Sequence, residues 1–174
     1  MPSRLRVAFG WLAGAALVIL ARPTPRTLLL GMLPALLGEA LRLWAAGHIE
    51  KTRTLATGGP YAHTRNPLYL GSILIASGVA VASASGWCVA LLALYLAAFY
   101  PSVMREEATF LRQRFPEAYA SWAASVPLFL PRLRADGPRA SRFSWSRVRA
   151  NREWRTALAL PGLALVLYLR AILR

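Results

Sequence analysis

Five long apolar runs dominate this chain of 174 residues, at positions 7–21, 27–47, 67–85, 86–104 and 156–173. A helix needs about 20 residues to cross about 30 Å of hydrocarbon, so every run but the first has the length of a full span. Residues from the set AVILMFWYC make up 56% of the sequence and charged residues only 16%, which is too apolar for an ordinary soluble domain. The pattern predicts an all-α polytopic membrane protein with about five transmembrane helices. Intrinsic disorder is excluded by the same numbers, because a disordered chain carries few large apolar residues.

The first run follows Arg4 and Arg6 and has the look of a secretory signal. A cut after Ala21, however, needs a small residue where Ile19 stands, so the run reads as an uncleaved span or half-span. Pro23 and Pro25 stop one helix and permit the next. Only Ser83, Ala84, Ser85 and Gly86 join the third and fourth runs, a length that forces an antiparallel helical hairpin. Small residues in the third run, among them Gly71, Ser72 and Gly78, let a neighbouring backbone come close.

Orientation follows from the basic residues. With the N-terminus in the cytoplasm, seventeen of the 21 Lys and Arg fall on that side and four on the other, a strong bias under the positive-inside rule. Both long polar segments, 48–66 and 105–155, are then cytoplasmic together. A net charge of +14 on so apolar a chain points to an anionic lipid surface as partner and away from nucleic acid. The stretch 132–155 reads as a basic linker on the anionic leaflet, with Trp145 and Trp154 at headgroup level. The last run reads as an added anchor.

Three polar clusters lie in or beside the spans, where such residues are costly and mark function. Glu39 and Arg42, three residues apart, share a helical face; an ion pair at the membrane edge accounts for them. The second cluster runs from Thr57 to Tyr69. Gly58, Gly59 and Pro60 force a turn there, and Asn66 followed by Pro67 reads as an N-cap before the favoured first helical residue. A helix start with Arg65 beside it suits a carboxylate or phosphate. The third is Arg105, Glu106 and Glu107, which the hairpin returns to the side where Arg65 and Asn66 begin. Charge balance among the surrounding arginines is an equal account of the paired acids.

His48 and His63 have no acids in register for a metal, and Cys88 has no second cysteine to pair with. The motifs of serine hydrolases, zinc proteases and nucleotidases are missing. A transporter would carry more polar residues within its spans than Glu39 and Arg42.

Taken in order, Arg42-Leu43-Trp44-Ala45, Leu55 to Tyr61, Arg65-Asn66-Pro67-Leu68-Tyr69-Leu70-Gly71, Arg105-Glu106-Glu107, and Phe115-Pro116-Glu117-Ala118-Tyr119 with Val126-Pro127 form a set. It resembles the isoprenylcysteine carboxyl methyltransferase family and its phospholipid methyltransferase relatives, over roughly residues 39–131. The resemblance implies an integral membrane enzyme with S-adenosylmethionine as cofactor, bound from the cytoplasm, and a lipid-like substrate that arrives through the bilayer. Its motifs transfer to Gly59, Pro60, Tyr61, Arg65, Asn66, Pro67, Tyr69, Glu106 and Glu107 as cofactor-binding positions, with Arg65, Glu106 and Glu107 nearest the chemistry. Asn66 departs from the His of the eukaryotic carboxyl methyltransferases; it keeps the cap but is neither cation nor base. The expected acceptor is a carboxylate of isoprenoid-thioether type. A phospholipid amine and a non-catalytic basic membrane scaffold are the alternatives, and a prokaryotic inner membrane is the expected location. The expected organisation is 1–38 as N-terminal membrane helices, 39–131 as methyltransferase core, 132–155 as linker and 156–174 as C-terminal membrane helix.

Overall fold

The computed structural model describes residues 3–50, 54–134 and 142–173, with side chains from residue 8 onward. The side chains of Arg4 and Arg6, and residues Lys51, Arg53, Arg139 and Arg174, which enter the charge asymmetry, lie outside that part. Seven α-helices and no strand are present among the described residues: α1 Ser3–Leu20, α2 Pro25–Ala46, α3 Pro67–Ser83, α4 Gly86–Arg114, α5 Pro116–Ser125, α6 Trp145–Ala150 and α7 Trp154–Ile172. Of these, α2, α4 and α7 are long and apolar enough to cross a membrane, whereas α3 and the apolar part of α1, Ala8–Leu20, are shorter. The protein is an all-α, polytopic membrane chain.

Helix starts follow the local chemistry. Thr24 and Thr27 form a reciprocal capping box at the head of α2, with Pro25 in its first turn, which satisfies donors that a helix start otherwise leaves open. α3 and α4 form the hairpin, turning at Ala84 in a left-handed conformation, φ 48°. α4 does not stop at the membrane edge. It runs on to Arg114 because nothing between Met104 and Phe115 breaks a helix, and so Glu106 and Glu107 stand on a rigid extension of the span.

α2 and α3 are packed at backbone contact. A methyl group added at Gly31 would lie 2.3 Å from the Gly78 carbonyl oxygen, and one added at Gly38 would lie 2.5 Å from that of Gly71. The paired glycines recur two turns apart on both antiparallel helices, so one face of each helix meets the other. Two buried clusters close the ends. Leu17, Ala21, Ala82, Cys88 and Leu167 pack near the hairpin turn. Ala45, Tyr61, Tyr119, Trp122 and Val126 pack at the other end.

The stretch 132–155 is not all linker. Residues 145–150 are helical, and Asn151 Nδ2 donates to the carbonyls of Ala46 and Ile49 at 2.9 and 3.1 Å, capping the end of α2. Arg147 pairs with Glu50 at 3.2 Å. Nor is α7 merely appended. Glu153 at its head bonds Arg42 of α2, and Arg170 near its tail donates to Ala21 O at 2.9 Å and Ile19 O at 2.6 Å, covering the carbonyl end of α1.

Candidate functional site

The loop between α2 and α3 is shaped before it reaches any ligand. Gly59 has φ +58°, a region that costs other residues strain, and the His48 ring lies against its open face, 2.5 Å from where a methyl group would stand. Gly59–Ala62 then forms one turn of 3-10 helix that buries Pro60 and Tyr61. Trp122 of α5 donates its indole N–H to Tyr61 O at 3.0 Å. Tyr61 is 7% exposed. Burial raises the pKa of its hydroxyl well above the usual value, nearby Glu107 adds to the rise, and Arg42 opposes it.

Residues 64–66 are zipped to residues 127–129. Arg65 N donates to Pro127 O at 2.9 Å, Thr64 Oγ1 to Phe129 O at 2.8 Å and Asn66 Nδ2 to Leu128 O at 2.9 Å. Arg132 closes the clasp, with Nε on Ala62 O at 2.9 Å and a terminal N–H on Ser125 O at 2.8 Å. Asn66 does occupy the N-cap position of α3, but its side chain makes no capping hydrogen bond. The amide is turned to Leu128 because that carbonyl lies within reach on the returning strand of chain. The capping bond expected of this side chain is therefore replaced by one to Leu128.

The hairpin brings the second and third clusters together. Tyr69 and Tyr100 sit at matching heights, the one as far before Ser83 as the other is after Gly86, and their rings meet edge-on at 5.3 Å. Side chains on a helix lean toward its N-terminus, so Tyr69, near the start of α3, reaches along α4 and donates to Glu107 Oε2 at 3.0 Å. Glu107 is thus joined to Tyr69 and near Tyr61, and Glu106 lies exposed on the neighbouring face.

Arg65 points to the same end of the bundle. One terminal N–H reaches the Tyr119 hydroxyl at 3.5 Å, while the buried Nε has no hydrogen-bond partner. An enclosed guanidinium N–H left open is a donor awaiting an acceptor, and a carboxylate fits it. Arg42 behaves otherwise. It bonds Glu153, Ser72 and the Leu68 carbonyl, so the expected pair with Glu39 does not form; Glu153, far along the chain, takes its place. Among the described residues no group of three His, Cys, Asp or Glu gathers for a metal.

Tyr119, Tyr100 and Ser72 belong to the site region without having been singled out. Tyr119 lies inside one of the recognised motifs, and the hairpin register marks Tyr100 as level with Tyr69. The sequence marks Ser72 only as a small packing residue; its bond to Arg42 depends on that side chain crossing from α2.

A family model described as phospholipid methyltransferase matches residues 27–118. The cobalt-zinc-cadmium resistance protein CzcN of Cupriavidus metallidurans is 43% identical over 112 residues, 63% of this chain and 51% of that protein. The nickel-cobalt-cadmium resistance protein NccN of Alcaligenes xylosoxydans xylosoxydans is 38% identical over 108 residues, 61% of this chain and 50% of that protein. The chain spans about half the length of these curated relatives. No solved structure matches.

Proposed function

The chain belongs to the phospholipid methyltransferase family, and we propose that it is an integral membrane methyltransferase that uses S-adenosylmethionine on a lipid-like carboxylate. The observation that carries this reading is the Tyr69 to Glu107 hydrogen bond of 3.0 Å, which ties the start of α3 to the paired acids of α4 beside Arg65 and Tyr61. Two of the family-like motifs thereby form one polar patch at the cytoplasmic end of the hairpin.

The residues fit the cofactor's chemistry. The open Nε–H of Arg65 suits its carboxylate, and Glu107, held in place by Tyr69, suits its amino or ribose groups. Gly59 and Pro60 shape the loop beside it, and Pro67 fixes the start of α3. Bound there, S-adenosylmethionine supplies an electrophilic methyl group on a sulfonium. The chain's part is to hold the partners in line and exclude water, which Tyr61, Tyr119 and Trp122 do by closing the space beneath the loop. A carboxylate acceptor arrives already as a nucleophile, so no residue needs to take a proton; an amine acceptor would require one, and Glu106 and Glu107 are the nearest bases.

The names of the relatives suggest a setting in metal resistance. Esterifying a lipid-borne carboxylate removes a negative charge and a hard oxygen ligand for divalent cations.

The test is S-adenosylmethionine binding by the protein in detergent and in nanodiscs, beside folded Arg65→Ala and Glu107→Gln variants, followed by transfer of a tritiated methyl group to extracted lipids. Binding that either variant weakens about tenfold or more, with label released as methanol in base, supports a carboxyl ester. Label that resists base moves the acceptor to an amine. Absence of binding by the folded wild type leaves a basic membrane scaffold.

A further inference from the structure

A groove of about 640 Å³ runs between α2, α3 and α7, within the range of about 300–1,000 Å³ for small-molecule sites. Its walls are apolar almost throughout, with Leu28, Met32, Val79, Leu160 and Ala164 among them, and Glu39 lines it at the inner end of α2. From Pro25 to Glu39 the helical rise is about 21 Å, about two thirds of the ~30 Å hydrocarbon thickness. That is the shape of a slot for a single hydrocarbon chain lying along the bilayer normal.

Glu39 is what gives the slot a chemical preference. It is 8% exposed, and neither carboxyl oxygen has a hydrogen-bond partner. The charged groups acting on it are Glu153 and Arg42, and Arg42 is already bonded to Glu153. Two acids thus share one guanidinium at the inner end of an apolar slot. An ionisable group left so inside a membrane is costly unless a partner arrives, and the partner that restores neutrality is a single positive charge able to donate hydrogen bonds.

We infer that the α2–α3–α7 groove is a binding site for a long-chain amine, with the hydrocarbon chain between α2 and α7 and the ammonium head on Glu39. The site lies on the other side of Arg42 from the Tyr69–Glu107 patch and does not depend on methyl transfer. Glu39 disfavours a carboxylate head, so the groove and the proposed acceptor call for opposite charges.

The experiment is equilibrium binding of tritiated hexadecylamine to the full chain in phosphatidylcholine nanodiscs, with binding to empty nanodiscs subtracted and unlabelled hexadecylamine or hexadecanoic acid as competitor. No cofactor is present, so the outcome is separate from that of the methyl-transfer test. Saturable binding is expected, weakened about tenfold or more by Glu39→Gln, because the bond to a charged head is lost, and abolished by Ala164→Trp, which fills the slot from the lipid-facing α7. The acid should compete poorly. Binding no greater than to empty discs, binding indifferent to both substitutions, or displacement by the acid as readily as by the amine would each overturn the inference. Helical circular dichroism and elution volume establish that each variant is folded; Ala164→Trp, on an exposed position, keeps the test decisive where Glu39→Gln does not fold.

Discussion

Arg42 of α2 is bonded to Glu153 at the head of α7, and this contact makes the last helix part of the bundle. Removing Glu153 takes away the carboxylate bonded to Arg42, which keeps Ser72 and the Leu68 carbonyl as partners and has the unbonded Glu39 nearby. Glu153→Ala is expected to destabilise by about 3–5 kcal/mol, whereas replacing Arg42 and Glu153 by Met together with Glu39 by Gln costs far less. Thermal unfolding of the two variants in the same detergent checks this; equal losses would show that the pair contributes little of its own.

Tyr69 and Glu107 act as one unit in the proposed cofactor site. Tyr69→Phe keeps the ring against Tyr100 and removes only the hydroxyl that holds the carboxylate. Each of Tyr69→Phe and Glu107→Gln is expected to weaken S-adenosylmethionine binding about tenfold, since a hydrogen bond to a charged group contributes about 1.5–3 kcal/mol. The double variant should lose little more than either single one. Calorimetric titration of all three proteins measures the coupling, and strictly additive losses would separate the two residues.

The spans α2, α4 and α7 were legible because each is a long apolar run, whereas α3, expected to span in full, is shorter; the hairpin was legible because its turn is too short for any other path. That hairpin also returned Glu106 and Glu107 to the side where Arg65 and Asn66 begin, though the bond from Tyr69 to Glu107 was not marked. The clasp of 64–66 on 127–129 was not legible, because it is made by backbone carbonyls that no side-chain pattern announces. For the same reason Asn66 read as a cap when its amide belongs to Leu128. Arg42 read as the partner of Glu39 because helical spacing is a local signal; Glu153 wins by tertiary approach of α7. α6 escaped notice because six residues rich in Arg carry no apolar period.

The glycine pairs make a graded prediction. A methyl group at Gly38 meets the Gly71 carbonyl at 2.5 Å, backbone that cannot move aside without parting α2 from α3. Gly38→Ala is expected to cost about 1–3 kcal/mol, as overpacking does. Gly162→Ala in α7 meets nothing within 4 Å and is expected to be neutral or to stabilise by up to about 1 kcal/mol through helix propensity. Melting temperatures of the two variants decide it, and a loss at Gly162 as large as that at Gly38 would remove the close-packing argument.

Tyr61 ties part of the fold's stability to pH in alkaline solution. Its hydroxyl is raised well above the ordinary tyrosine value, first by burial and then by Glu107, so the folded protein holds this proton where the unfolded chain has released it. The folded state therefore binds more protons than the unfolded one above about pH 10, and stability must fall as pH rises past that point. Below it the contribution is fully present. Tyr61→Phe keeps the Trp122 bond, which is to the backbone carbonyl, and removes the titrating group. Absorbance of tyrosinate should show fewer phenols ionising in the native wild type than in the unfolded chain near pH 11, and the variant should lose stability less steeply between about pH 10 and 12. Identical slopes for the two proteins would mean that Tyr61 ionises freely, and that the loop over the proposed cofactor site is open to water.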